Sequence, residues 1–442
     1  MPDPSISDDD VVRVTRAYLD RMHREPLPRD IEGDVMRSIR EPRRRRSISV
    51  ARLVAAGLMF AAIAAVACLA LVMHFGRSSI GGASAHWTIV STSNSPSGSS
   101  GLSAVTCVSP GDCWAAGYSY GQNGNTQPLI EQNSGTGWTV VASPNPSVSR
   151  SDALRGLACV GAGDCWAVGY SIDVSDGIGQ ALIEHYAGSG WSIFSSPKPS
   201  GVTDTRLSGV TCVSADDCWA VGQSGQGGLI EHFQGSSWSI ASSPTTSSGV
   251  GGALYAVTCV SAGDCWAVGG SATGALIEHF GASGWSTFSP NASAGENAVL
   301  QAVTCAGAGD CWAAGVSLTA TSSTKTLIEQ YQGSGWSVVA SPNPADGSGP
   351  QLNSVSCDGA GDCWAVGWFR AGAATAPGLL DTLIEEDQGS GWSTAPSPNL
   401  SGGSDTQLQA VTCVNAGSCW AVGYPGGAAG QVVMQLADPA VG

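Results

Sequence analysis

Cysteine recurs in this chain as a fixed doublet, and the doublet recurs seven times. Cys107, Cys159, Cys212, Cys259, Cys305, Cys357 and Cys413 are separated by 52, 53, 47, 46, 52 and 56 residues. Each is followed six positions later by a second cysteine: Cys113, Cys165, Cys218, Cys265, Cys311, Cys363 and Cys419. A fixed period of this size marks a repeat architecture, in which each unit buries its apolar face against a neighbour. Only Cys68 stands outside the pattern.

Within each period lie four short apolar runs, as in Leu254 to Val260, Cys265 to Gly269, Ala275 to Phe280 and Trp285 to Phe288. Gly, Ser, Asp and Asn separate them, which predicts antiparallel strands joined by turns. Four strands in roughly 50 residues is the content of one propeller blade. The array ends on a run of the third type, Val432 to Leu436, and begins with a lone run of the fourth type, Trp87 to Val90. The first strand then completes the last blade and removes the free edges. The expectation is an all-β, seven-bladed propeller over residues 86–436, four antiparallel strands to a blade. Sixty glycines and only 12% charged residues agree with it, because Gly disfavours helix interiors.

The unit Cys265-Trp266-Ala267-Val268-Gly269-Gly270, followed by Leu276-Ile277-Glu278 and Trp285, resembles kelch repeats and the galactose-oxidase-like propellers. The likeness spans Trp87 to Leu436. It departs from the kelch pattern in its paired cysteines and in having the double glycine in one blade only. The unit also resembles a repeat of uncharacterised bacterial surface proteins that carries Leu-Ile-Glu-His and Ser-Pro-Asn-Pro. Neither resemblance implies a particular activity, since propellers host many.

The doublets fall where the first strand turns into the second, so hairpin disulfides are the expected reading for an oxidised chain. A CxxxxxC spacing is not that of a zinc site, and no metal or cofactor is called for. The Asp before the second cysteine (Asp112, Asp164, Asp217, Asp264, Asp310 and Asp362) reads as an Asx-turn residue. A Glu recurs in the third strand (Glu131, Glu184, Glu231, Glu278, Glu329 and Glu385) and is expected to bond neighbouring backbone or Ser and Thr. His185, His232 and His279 follow three of these and share a structural role. Two Trp columns, one after the second cysteine and one opening the fourth strand, are expected to fill the wedges between blades. Trp368 lies outside both. With Phe369 and Arg370 it is the candidate binding loop, because non-repeated segments carry specificity.

Residues 1–75 hold 12 Arg against 10 acids, whereas the rest holds 7 Lys or Arg against 25. So acidic a C-terminal part repels phosphate backbones, which argues against nucleic acid as a partner. Leu53 to Phe75 is an uncharged run of 23 residues, long enough at ~1.5 Å per residue to span a bilayer. Arg43, Arg44, Arg45, Arg46 and Arg52 before it predict a cytoplasmic N-terminus. The expected organisation is a basic cytoplasmic segment with two short amphipathic helices (1–49), a single-pass membrane helix (50–75), a linker (76–85), an extracellular propeller and a tail (437–442).

No nucleophile elbow, zinc helix or phosphate loop occurs. A sialidase-like site would need an Arg cluster, and Arg150, Arg155, Arg206 and Arg370 come without a supporting Tyr and Glu motif. The expected function is therefore a non-enzymatic, membrane-anchored module for a protein, glycan or cell-wall ligand. The alternative is a transmembrane sensor with a cytoplasmic protein partner, and third comes an extracellular hydrolase or lyase.

Overall fold

The computed structural model describes residues 86–437, except 93–98, 226, 245–251, 289–296, 319–322, 345–346, 359–360, 373–377, 401–404, 416 and 427–429. The expected cytoplasmic segment, membrane span, linker and the tail beyond residue 437 lie outside these residues. Among the described residues no helix is long and apolar enough to cross a membrane.

Among the described residues all regular elements are β-strands, in seven four-stranded antiparallel sheets. Strand β1 (His86–Ile89) comes first. Blade one is β2 (Ser100–Ser109), β3 (Asp112–Tyr120), β4 (Thr126–Asn133) and β5 (Trp138–Val141). Blade two is β6 (Arg150–Gly161), β7 (Asp164–Asp173), β8 (Gly179–Tyr186) and β9 (Trp191–Phe194). Blade three is β10 (Thr205–Ser214), β11 (Asp217–Ser224), β12 (Gly227–Gln234) and β13 (Trp238–Ala241). Blade four is β14 (Gly252–Ser261), β15 (Asp264–Ser271), β16 (Gly274–Gly281) and β17 (Gly284–Phe288). Blade five is β18 (Val299–Gly307), β19 (Asp310–Leu318), β20 (Thr324–Tyr331) and β21 (Trp336–Val339). Blade six is β22 (Gly347–Cys357), β23 (Cys363–Ala371), β24 (Leu380–Asp387) and β25 (Ser393–Thr394). Blade seven is β26 (Asp405–Asn415), β27 (Ser418–Gly426) and β28 (Val432–Ala437), completed by β1, which pairs with β28 through Trp87 opposite Leu436. The seven-bladed propeller and its closure are as the repeats predict.

Local chemistry fixes the hairpins. Between β4 and β5 the chain turns through Gly135 and Gly137, at φ of 90° and 115°, which a side chain would resist. Asn133 Oδ1 accepts both of their amides, at 2.9 and 3.3 Å. All seven cysteine doublets are bonded, each across the first hairpin of its blade, from Cys107–Cys113 to Cys413–Cys419.

The core is a set of seven wedges between adjacent blades. In strand β3 the run Cys113-Trp114-Ala115-Ala116 is wholly buried, because successive side chains face opposite neighbours. Trp114 and Ala116 pack with Leu154, Leu157 and Trp191 of blade two, whereas Cys113 and Ala115 pack with Trp420 and Val422 of blade seven. The two Trp columns meet edge to face across every wedge. Trp114 lies 5.6 Å from Trp191, Trp364 lies 5.5 Å from Trp87, and Trp420 lies 5.2 Å from Trp138, so the contact also bridges the closure. Such pairs contribute about 0.5–1.5 kcal/mol beyond their burial.

Candidate functional site

The inner strand of each blade carries a register shift just after a periodic leucine, and that of blade six a second one between Ser348 and Gln351. The shift after the leucine falls between Leu102 and Ala104, Leu154 and Gly156, Leu207 and Gly209, Leu254 and Ala256, Leu300 and Ala302, Leu352 and Ser354, and Leu408 and Ala410. The skipped residue is a β-bulge, which turns a side chain away from the sheet's own alternation. These residues are Ser103, Arg155, Ser208, Tyr255, Gln301, Asn353 and Gln409. All seven line one cavity of about 360 Å3. Since each blade contributes its innermost strand, the cavity lies on the propeller axis, at the end opposite the disulfide hairpins.

The glycine of each Cys-Trp-Ala-x-Gly segment makes the bulge possible. A Cβ built on Gly169 would fall inside the carbonyl oxygen of Ala153, and Gly117, Gly222, Gly269, Gly315, Gly367 and Gly423 meet the equivalent carbonyl in the same way. The residue after each glycine forms a second tier: Tyr118, Tyr170, Gln223, Gly270, Val316, Trp368 and Tyr424. Tyr170 and Gln223 line the cavity, as do Arg206 and Gln351 from the strands opposite this tier.

Arg155 and Arg206 converge on one ring. Arg155 Nη2 donates to the Tyr170 hydroxyl at 3.0 Å, and the two guanidinium carbons stand 5.5 and 5.8 Å from the Tyr170 ring centre. Arg206 also pairs with Asp204 at 3.2 Å, outside the cavity lining. Arg155 makes no ion pair among the described residues. Across the cavity Gln351 Nε2 donates to Asn353 Oδ1 at 2.6 Å, and Asn353 Nδ2 donates to the Leu408 carbonyl at 2.7 Å, which fixes that amide's orientation. Tyr118 lies 6.4 Å from Tyr424; burial, chiefly, raises both phenols, so they remain neutral donors. The lining carries two positive charges, six amide or hydroxyl side chains from the bulges alone and no carboxylate.

The repeated polar residues lie elsewhere. The third-strand glutamates are fully buried, and serines from the preceding blade's exit loop donate to them: Ser143 to Glu184, Ser196 to Glu231 and Ser341 to Glu385, each at 2.8 Å. This is the role expected of them. In the closing blade Gln431 takes the place of the serine and donates to Glu131 and, at 3.0 Å, to Thr92. Burial pushes Glu131 up to about 7, and Glu184, Glu231 and Glu385 up to about 8.

The aspartates depart from the Asx-turn reading. Asp164, Asp217 and Asp264 each bond the Nε2 of His185, His232 and His279 on the neighbouring strand, at 2.8, 2.7 and 2.9 Å. In blades one and five a glutamine replaces the histidine, Gln132 to Asp112 and Gln330 to Asp310. Each histidine stacks on the Trp beside it, the His232 and Trp219 rings being 3.7 Å apart.

Trp368, Phe369 and Arg370 lie on strand β23 rather than in a loop. Phe369 packs against the wedge between blades five and six, and Arg370 Nη1 donates to the Gly378 carbonyl at 3.5 Å. Trp368 belongs to the second tier and pairs in register with Gln351 of the cavity. The bulge ring itself escapes sequence reasoning that looks for repeated residues, because the position repeats and the residue does not. Its signal is a variable, mostly polar residue after a periodic leucine.

No family model matches the chain, so its kelch likeness remains one of motif. No curated protein matches it in sequence. Solved structures share the fold. A GH74 xyloglucanase from Xanthomonas campestris superposes with TM-score 0.52 at 13% identity, over 79% of this chain and 53% of that one. The chain thus spans about half the length of that enzyme. A Trypanosoma rangeli sialidase (TM-score 0.41, 9% identity, 79% and 58% coverage) and Sqt1 from Chaetomium thermophilum (0.46, 12%, 79% and 100%) are more distant.

The expected non-enzymatic, membrane-anchored binding module, with a transmembrane sensor as its alternative, is corrected here. It rested on a repeated scaffold lacking any singular polar constellation. The bulges supply such a constellation, and the scaffold is one that a xyloglucanase shares. The fold by itself therefore does not assign the chain to enzymes or to non-enzymes.

Proposed function

We propose that this chain is a carbohydrate-directed propeller whose axial cavity takes a saccharide. The observation that carries the reading is the lining. Sugar hydroxyls both donate and accept, and Ser208, Gln301, Asn353 and Gln409 offer both roles around one ring. Tyr255 adds a face on which the apolar side of a sugar ring can rest. The cavity volume falls within the ~300–1,000 Å3 usual for small-ligand sites. Seven disulfides support a place of action outside the cytoplasm, where such bonds persist.

The test is a binding survey of the oxidised full-length chain against soluble plant and bacterial polysaccharides, with the double variant Gln301→Ala, Asn353→Ala alongside. Binding by the parent that the variant loses supports the reading. Absence of binding to every polysaccharide overturns it. The same incubations assayed for new reducing ends tell a cavity that cleaves from one that holds.

A further inference from the structure

The cavity's charge runs against that of the domain around it. The chain beyond residue 75 carries 25 acids and 7 Lys or Arg. Two of those few cations, Arg155 and Arg206, nevertheless line the axial cavity, and no acidic side chain does. Arg206 is held by Asp204 at 3.2 Å and reaches the Gly177 carbonyl at 3.4 Å. Among the described residues Arg155 bonds the neutral hydroxyl of Tyr170, at 3.0 Å, and no carboxylate, and it is exposed.

A guanidinium offers five donors in a planar fork that matches a carboxylate in two parallel bonds. With one arm of Arg155 spent on Tyr170, donors remain for a ligand. The Tyr170 hydroxyl and ring, which both guanidiniums approach, fix the fork's place. The bulge that presents Arg155 is itself held by the close approach of Gly169 to the Ala153 carbonyl, so the charge sits on rigid strand. Long-range attraction cannot account for an anionic ligand here, because the domain as a whole repels anions. Any preference must be made locally, by this corner.

Resting on the saccharide reading above, we propose that the ligand is an acidic saccharide, whose carboxylate is received by Arg155 with Arg206 and Tyr170 beside it, while the amides across the ring take its hydroxyls.

The experiment measures the affinity of the oxidised full-length chain for hexagalacturonate and for the same oligomer after chemical reduction of its carboxyl groups. The reduced oligomer keeps the ring hydroxyls and loses the charge. The expected result is binding of the acid form at least about tenfold tighter, the size of a charge-assisted hydrogen bond. Arg155→Ala abolishes that difference between the two oligomers, whereas Arg155→Lys retains part of it, having the charge without the fork. Thermal melts of both variants, matched to the parent, confirm that the blades are intact. Equal binding of the two oligomers overturns the acidic ligand and leaves the saccharide reading standing. Preference for the acid form that survives Arg155→Ala also overturns it. Failure of both oligomers and of every polysaccharide in the survey removes the saccharide reading itself.

Discussion

The Ser143 hydroxyl, in the loop leaving blade one, donates to the Glu184 carboxyl of blade two at 2.8 Å, and Glu184 is completely buried. Two repeated sequence features, the Ser-Pro after the fourth strand and the Glu of the third, are therefore the two halves of one contact between blades. Burial holds Glu184 in its neutral form, which is why a hydroxyl partner suffices.

Replacing Ser143 by Ala should lower stability by about 1–3 kcal/mol, because it leaves a buried carboxyl without its donor. Glu184→Gln should change it by less than about 1 kcal/mol, since the amide matches the protonated acid in shape. Urea midpoints at neutral pH distinguish the two.

Stability should fall as pH rises from about 4.5 to about 8 and change little above that. Burial pushes Glu184, Glu231 and Glu385 up to about 8 in the fold and Glu131 up to about 7, from the usual 4.5. Between the two values the folded chain keeps protons that the unfolded chain has released, so raising the pH favours unfolding. Melting temperatures across that range measure it, and the triple variant Glu184→Gln, Glu231→Gln, Glu385→Gln should flatten the slope.

Removing one staple, through Cys107→Ala with Cys113→Ala, should reduce stability by about 2 kcal/mol in the chain-entropy picture of a short loop. Denaturant unfolding checks the size. A thiol titration of the denatured, unreduced parent checks the pairing: of its 15 cysteines, 14 are bonded, so one thiol per chain should react.

Gly169→Ala should be among the most damaging single changes, at or above about 3 kcal/mol, because the clash is with backbone that cannot rotate away. Even under conditions where the variant folds, the displaced inner strand should misplace Arg155 and weaken ligand binding. Circular dichroism and the binding assay together separate the two effects.

Most of the fold was legible because a propeller writes its plan seven times. The cysteine period gave the blade count, the lone Trp87 strand gave the closure, and the Trp columns gave the wedges. The Glu role was legible for the same reason. What escaped was aperiodic. Arg155 and Tyr255 occupy equivalent positions yet share no chemistry, so neither stands out as part of a set. Only the register shift, a property of paired strands, shows that both face one axis. The aspartates were misread for a related reason: Asp217 is close in sequence to a turn, but its partner His232 comes from the next strand, where pairing brings it within 2.7 Å.

The joint between β1 and β28 also orders events during synthesis. Thr88 and Gln435 bond across it although 347 residues separate them in the chain. At about 5–20 residues per second the first strand emerges roughly 20–70 s before its partner. The disulfides need no such wait, since each joins cysteines six residues apart. Oxidation of the early hairpins can thus be complete while the ring is still open. Until it closes, the edge of that first strand has no partner, so the long wait in folding belongs to the closure and not to the disulfides.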